Sequence, residues 1–296
     1  MATEIATEVQ QGRMAGPFQA PEWLQTNTTP LKEYPHTCSL LPLPHPDPII
    51  AMAFSIEQTG SDGKQKIRRG EDWRRSGHNQ ACHMTDQPYH HTPDHYTWLA
   101  QYTRQRSDEP PLVWGHDHDG AYRQLPLDDP SIAYVLLLTP DGPTLWHHHV
   151  LLFGSAASVW AYDRFGDMLS AVARTIACIP VVHYVDDYGS IEPTGSANSG
   201  FDTFESINSI LGFHMKISKK QPPANSHRIQ GVIIECDIDK ITVAPCPSRV
   251  KNISEQLQQN TRKNDTRTGA QISRQMLVYN HTTLWTSRTC CPTGSL

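Results

Sequence analysis

Hydrophobic and polar positions along the chain follow two periods, and the switches between them mark out the elements. Short apolar runs predict strands at residues 49–57, 132–138 and 144–152, the last two joined by the turn Pro140-Asp141-Gly142-Pro143. A helical period predicts a helix over 94–105, opened by Thr92-Pro93 and an acidic first turn, with Leu99 and Tyr102 on a modest apolar face. The longest helical pattern opens at 153–158 and runs to about residue 179, with Val159, Ala161, Tyr162, Phe165, Leu169, Val172, Ala173 and Ile176 as its core face. Residues 195–200 read as a flexible loop and 201–211 as a helix stopped by Gly212, with Phe204, Ile207 and Leu211 aligned. Residues 227–236 and 241–243 read as a hairpin around Asp237-Ile238-Asp239-Lys240. Beyond residue 245 the pattern weakens into two expected helices, 248–261 and 270–279. Residues 1–48 are polar and proline-rich with no sustained period, which predicts a disordered or loosely attached arm.

A chain of 296 residues can bury a substantial core and hold one large or two modest domains. Its apolar fraction of 38% and its 23 prolines predict irregular segments around a compact centre. The net charge of -5 argues against a uniformly basic nucleic-acid surface, so local clusters matter more than the sum. One cluster is Lys64, Lys66, Arg68, Arg69, Arg74 and Arg75; the other is Lys216, Lys219, Lys220 and Arg228. Seven irregularly spaced cysteines and a polar amino terminus predict reduced thiols and an intracellular location, in cytoplasm or nucleus. No membrane partner is expected, since the most apolar run, 169–182, contains Arg174 and Pro180. The spacing of His78, Cys82, His83, His90, His91 and His95 fits no standard zinc site. His147, His148 and His149 alternate across a strand and cannot all face one metal, so they read as polar filler unless a carboxylate lies near.

The candidate chemistry centres on Pro180-Val181-Val182-His183-Tyr184-Val185-Asp186-Asp187-Tyr188-Gly189. This reads as a strand, a tight turn carrying Asp186 and Asp187, and a returning strand from Tyr188. Alternation puts Val182, Tyr184 and Asp186 on one face. Two neighbouring carboxylates repel each other unless a cation lies beside them. Another apolar run, from Leu112, ends in acid at Asp117. A third carboxylate at the end of a second strand, beside the hairpin, would complete a site for two magnesium ions, the chemistry of nucleotidyl transfer.

Tyr184-Val185-Asp186-Asp187 resembles the Tyr-x-Asp-Asp box of reverse transcriptases, and Asp117 followed by Ala121-Tyr122-Arg123-Gln124 resembles their upstream Asp-x-x-x-Ala-Tyr motif. The likeness extends more weakly from about residue 63 to 243 and is nearest to retrotransposon polymerases. It implies an α+β fold: a polymerase palm whose antiparallel sheet is backed by helices, a fingers extension and a partial helical thumb. The implied division is an arm at 1–48, fingers at 49–110, a catalytic palm at 111–244 and the start of a thumb at 245–296. The short thumb implies either a fragment of a larger polyprotein or a truncated copy.

The resemblance also implies roles. Asp117, Asp186 and Asp187 would hold two Mg2+ ions, with Mn2+ as a substitute. Arg68 and Arg74 would grip the triphosphate through paired, charge-assisted hydrogen bonds. Tyr122, Phe153, Gly154 and Tyr184 would shape the nucleotide pocket. Lys220, with Lys219 as understudy, would neutralise or protonate the departing pyrophosphate. An aromatic ring at Tyr122, where RNA-making relatives usually carry an acid, implies deoxynucleotides. Arg123 and Gln124 carry no catalytic step. The expected partners are an RNA template, a DNA primer and deoxynucleoside triphosphates, and the expected activity is RNA-directed DNA synthesis. Two other readings stay open: a catalytically inactive retroelement-derived protein that binds nucleic acid, and an RNA-dependent RNA polymerase, which Tyr122 argues against.

Overall fold

A computed structural model of the chain describes residues 2–19, 21, 41–44, 48–59, 65–139 and 142–263. In chain order its elements are α1 (Ala2–Gln10), β1 (Met14–Phe18), β2 (Ile50–Thr59), β3 (Gln65–Glu71), α2 (His78–Ala81), α3 (Pro93–Arg104), β4 (Leu112–Asp117), β5 (Tyr134–Thr139), β6 (Gly142–His148), α4 (Ala156–Ile176), β7 (Val182–Tyr184), β8 (Asp187–Glu192), α5 (Thr194–Ile210), β9 (Gln221–Ala224), β10 (Ser226–Ile229), β11 (Val232–Cys236), β12 (Ile241–Pro245) and α6 (Pro247–Lys263). The fold is α+β, with largely antiparallel sheets and helices. It divides into two compact units, Met1–Pro88 with Gly120–Tyr162, and Tyr89–Asp119 with Asp163–Leu296.

The first unit is built on a five-stranded sheet in the order β1-β6-β5-β2-β3, antiparallel except where β2 runs parallel to β5. Strand β5 is apolar at consecutive positions because both of its faces are covered. Val135 and Leu137 pack with Ile5, Met14 and Ala53, while Tyr134 and Leu136 pack with Phe18 and Leu145. The expected loose arm is therefore corrected for residues 2–18, which form a helix and an edge strand with Ile5, Met14 and Phe18 buried. Glu8 on that helix ion-pairs with buried Arg123, whose guanidinium also donates to the Leu151 carbonyl at 3.2 Å. His148 is likewise no filler. Its Nε2 meets Glu71 Oε1 at 3.0 Å, and Arg69 Nε reaches the same oxygen at 2.9 Å. Burial would raise the Glu71 carboxyl, but His148 and Arg69 outweigh it and hold the group below its ordinary value.

The second unit carries a four-stranded antiparallel sheet, β7-β8-β4-β9, and a three-stranded one, β10-β11-β12. On one face of the larger sheet, Val113, Val182 and Ile191 pack against Tyr96, Leu99 and Ala100 of α3 and against Ile229, Val232 and Ile234. On the other, Trp114, Val181 and Tyr188 pack against Leu169 and Ala173 of α4 and Ala197, Phe201 and Phe204 of α5. Residues 195–200, expected as a loop, are the first turns of α5. Their weak helix propensity yields to packing: Ala197 is fully buried, and Gly200 lies where an added Cβ would run into Glu192 Oε1.

The expected boundaries shift accordingly. Helix α3 belongs with the acid-bearing strand β4, and residues 120–162 belong with the sheet of the first unit, so each unit draws residues from both of the stretches 49–110 and 111–244. Helix α6 matches the first of the two helices expected after residue 245; the second, at 270–279, lies outside the described residues.

Candidate active site

Strands β4 and β8 pair in register from Leu112 opposite Glu192 to Asp117 opposite Asp187. Tyr184 pairs with Asp187, leaving Val185 and Asp186 as a two-residue turn. The acid pair is therefore divided: Asp186 lies in the turn and Asp187 opens the returning strand, one residue earlier than expected. Val185 takes a φ of 54°, a left-handed conformation that a β-branched residue rarely adopts. The amide of His118 donates to the Asp186 carbonyl at 3.3 Å and ties the turn to the end of β4.

Alternation along β4 sorts its side chains. Trp114, His116 and His118 face α5, where His116 stacks on Phe201 at 4.1 Å and His118 meets Asn208 Oδ1 at 2.7 Å. Asp117 projects from the opposite face and is almost wholly buried. There the carboxyls of Asp117, Asp186 and Asp187 come together. Burial, followed by a hydrogen bond with Asp117 and the charges of Asp186 and Asp117, pushes Asp187 up to about 7. Burial and the Asp117 charge also raise Asp186. Asp186 and Asp187 therefore hold their protons more tightly than isolated carboxylates do.

A lysine completes the cluster, and it is Lys219. The Lys216 amide donates to the Asp117 carbonyl at 2.7 Å and the Asp119 amide to the His214 carbonyl at 2.9 Å, which lays residues 214–219 alongside the end of β4. A short 3-10 turn over Ile217–Lys219 then delivers the Lys219 ammonium to Asp117 Oδ2. Burial would lower the Lys219 pKa, but the hydrogen bond and charge of Asp117, with Asp187 and Asp186 behind them, raise it. Lys220, the lysine singled out from the sequence, bonds to Glu205 on α5 instead, because the turn sends consecutive lysines to different neighbours.

No protein-family model matches the chain, and no curated protein matches it. No helix among the described residues is long and apolar enough to cross a membrane.

The remaining sequence candidates fall in both units. In the second, Tyr184 is partly exposed, its ring tilted against His90 at 4.9 Å. In the first, Tyr122 meets Phe153 edge-on at 5.4 Å and Tyr162 at 5.2 Å. Gly154 has a φ of 85°, which favours glycine, and its carbonyl accepts from Asn79 Nδ2 at 3.0 Å. Asn79 Oδ1 in turn accepts the Ala156 amide at 2.9 Å, so this asparagine fixes the entry into α4. Arg68 on β3 and Arg74 in the following turn are exposed.

Among the described residues, no three His, Cys, Asp or Glu side chains stand as a ready-made metal cage. The donor chemistry of the acid cluster suits magnesium all the same, since hard oxygen ligands whose mutual repulsion raises their proton affinity gain most from a dication. In this structure the Lys219 ammonium lies on Asp117.

Proposed function

We propose that the chain is the catalytic part of an RNA-directed DNA polymerase of retrotransposon type, using an RNA template, a DNA primer and deoxynucleoside triphosphates. The observation that carries the reading is the cross-strand pairing of Asp117 with Asp187, with Asp186 in the adjoining turn. Asp117 and the adjacent pair Asp186 and Asp187, distant from it in the chain, share one partly buried corner at the end of an antiparallel sheet, and helices α4 and α5 back that sheet as a polymerase palm requires. The five-stranded first unit is read as the fingers and α6 as the start of a thumb.

In this reading Asp117, Asp186 and Asp187 hold the metal. Magnesium, when bound, supplies a lowered pKa at the primer 3'-hydroxyl and countercharge for the triphosphate. The protein contributes placement and charge. The paired strands fix the acids; Lys219, in place of Lys220, brings a cation to the same corner and is assigned the departing pyrophosphate. Tyr122, braced by Phe153 and Tyr162, is assigned discrimination against the ribose 2'-hydroxyl. Arg68 and Arg74, both exposed, keep the triphosphate role that the resemblance implies.

One observation favours the second reading, a protein that binds nucleic acid without catalysis: the ammonium already on Asp117. Primer extension on an RNA template with deoxynucleotides and magnesium separates the two. Extension that disappears in Asp186→Asn supports the polymerase, and no extension by the wild type leaves the binding reading.

A further inference from the structure

We propose that Lys219 is the resident counter-ion of the acid cluster, holding Asp117 in place in the metal-free protein and competing with the divalent cation for that carboxylate. The inference rests on the reading of the three acids as a cation site and adds to it how the site is kept closed.

Three lysines lie in the segment beside Asp117, and each has its own acid. Lys216 meets exposed Asp119 at 3.4 Å, Lys220 meets Glu205, and Lys219 meets buried Asp117. Asp117 also faces Asp187 across the strand pair and Asp186 in the turn, so the Lys219 ammonium in contact with it offsets repulsion from two further carboxyls. The contact is built to be reversible. The Lys219 side chain is 53% exposed along its length while that of Asp117 is 5% exposed, so the lysine reaches in from solvent on a flexible stem. Its backbone stays put when the side chain leaves, because the Lys216 amide remains bonded to the Asp117 carbonyl.

An ammonium and a dication cannot share one carboxylate oxygen without strong repulsion. Cation entry therefore has to expel Lys219, and the metal's apparent affinity is reduced by the fraction of molecules in which the lysine is seated. Expelled, the ammonium remains within a side chain's length of the cluster. Lys219 is thus a positioning residue for Asp117, distinct from the acids themselves.

The test is Mn2+ binding to the full chain, read by the loss of free-ion electron paramagnetic resonance signal, for wild type, Lys219→Met, Lys219→Arg and Lys220→Met. Lys219→Met is expected to bind Mn2+ about two- to fivefold tighter, the range set by a partly exposed ion pair. Lys220→Met, which removes the same charge one residue away, is expected to match wild type, and Lys219→Arg to bind no tighter than wild type. Thermal unfolding supplies a second readout: Lys219→Met should melt below wild type in EDTA, and the gap should close at saturating Mn2+. The proposal is overturned if Lys219→Met binds no tighter than wild type, or if Lys220→Met tightens binding equally. Asp117→Asn and Asp186→Asn separate the two failures: if both bind Mn2+ like wild type, the cation-site reading itself falls.

Discussion

Asp117 and Asp187 stand directly opposite one another, the last residue of β4 against the first of β8, and their side chains share a hydrogen bond. Two carboxyls can share one only if one of them holds a proton, and burial first, then this bond and the charges of Asp186 and Asp117, keep the Asp187 proton in place up to about 7. Holding these carboxyls together is therefore a burden on the fold.

Asp187→Asn should relieve that burden. An amide can donate to Asp117 as the protonated acid does, without the charge, so the variant is expected to melt at or above wild type in EDTA, by up to about 1 kcal/mol. The same variant should extend primers at least about a hundredfold more slowly, the scale on which an electrostatic contribution to a transition state is lost. Thermal melts with a parallel extension assay check both halves, and a clear loss of stability in EDTA would count against the shared proton.

Gly200→Ala should destabilise although it lies within a helix. In an exposed helix the change gains about 1 kcal/mol. Here the new methyl would enter the Glu192 carboxylate, itself buried and accepting from Trp114 Nε1 at 2.7 Å. A loss of about 2 kcal/mol or more is expected from displacing that buried pair, read as a lower urea midpoint at unchanged slope.

Acid should weaken the second unit through His116. Burial pushes its pKa down from 6.5 to about 4, with Lys220 and His118 adding to the shift while the Phe201 carbonyl and Glu205 oppose it. Between those values the unfolded chain takes up a proton that the folded one refuses, so stability is lost as pH falls from about 6.5 to about 4. His118, also lowered by burial, acts in the same direction. Melting temperatures measured across this window should fall less steeply for His116→Phe than for wild type; equal slopes would remove His116 from the account.

Val185 carries the strain of the turn between the paired strands. A β-branched residue at a φ of 54° costs about 1–2 kcal/mol, and asparagine accepts that conformation more readily. Val185→Asn should therefore hold or raise the urea midpoint even though the replaced side chain is half-buried.

Much of this architecture was legible in the sequence. The apolar run into the acid pair marked a hairpin, and the helical period over 94–105 marked α3, because each signal was local and long enough to stand out. What escaped depended on contacts between distant residues. Helix α1 buries Ile5 within only nine residues, too little to show a period, and it reads as part of the fold only once Met14 and Phe18 are seen beside the central strand. The start of α5 was hidden because glycine and serine are poor helix formers and only the packing of Ala197 and Gly200 overrides them. The choice between Lys219 and Lys220 turned on a single 3-10 turn, a feature with no periodic signature. The flanking histidines carry a usable sign: in His116-Asp117-His118, alternation alone puts the acid on the opposite face from its neighbours.

The central claim is that Asp117, Asp186 and Asp187 act together in deoxynucleotide transfer. It is tested most directly by single-turnover incorporation of one deoxynucleotide onto a primer annealed to RNA, comparing wild type with Asp117→Asn. Measurable incorporation by the wild type, with at least about a thousandfold slower rate in the variant, is the predicted result. Incorporation at equal rates by the two proteins, or none by the wild type with magnesium present, would contradict it.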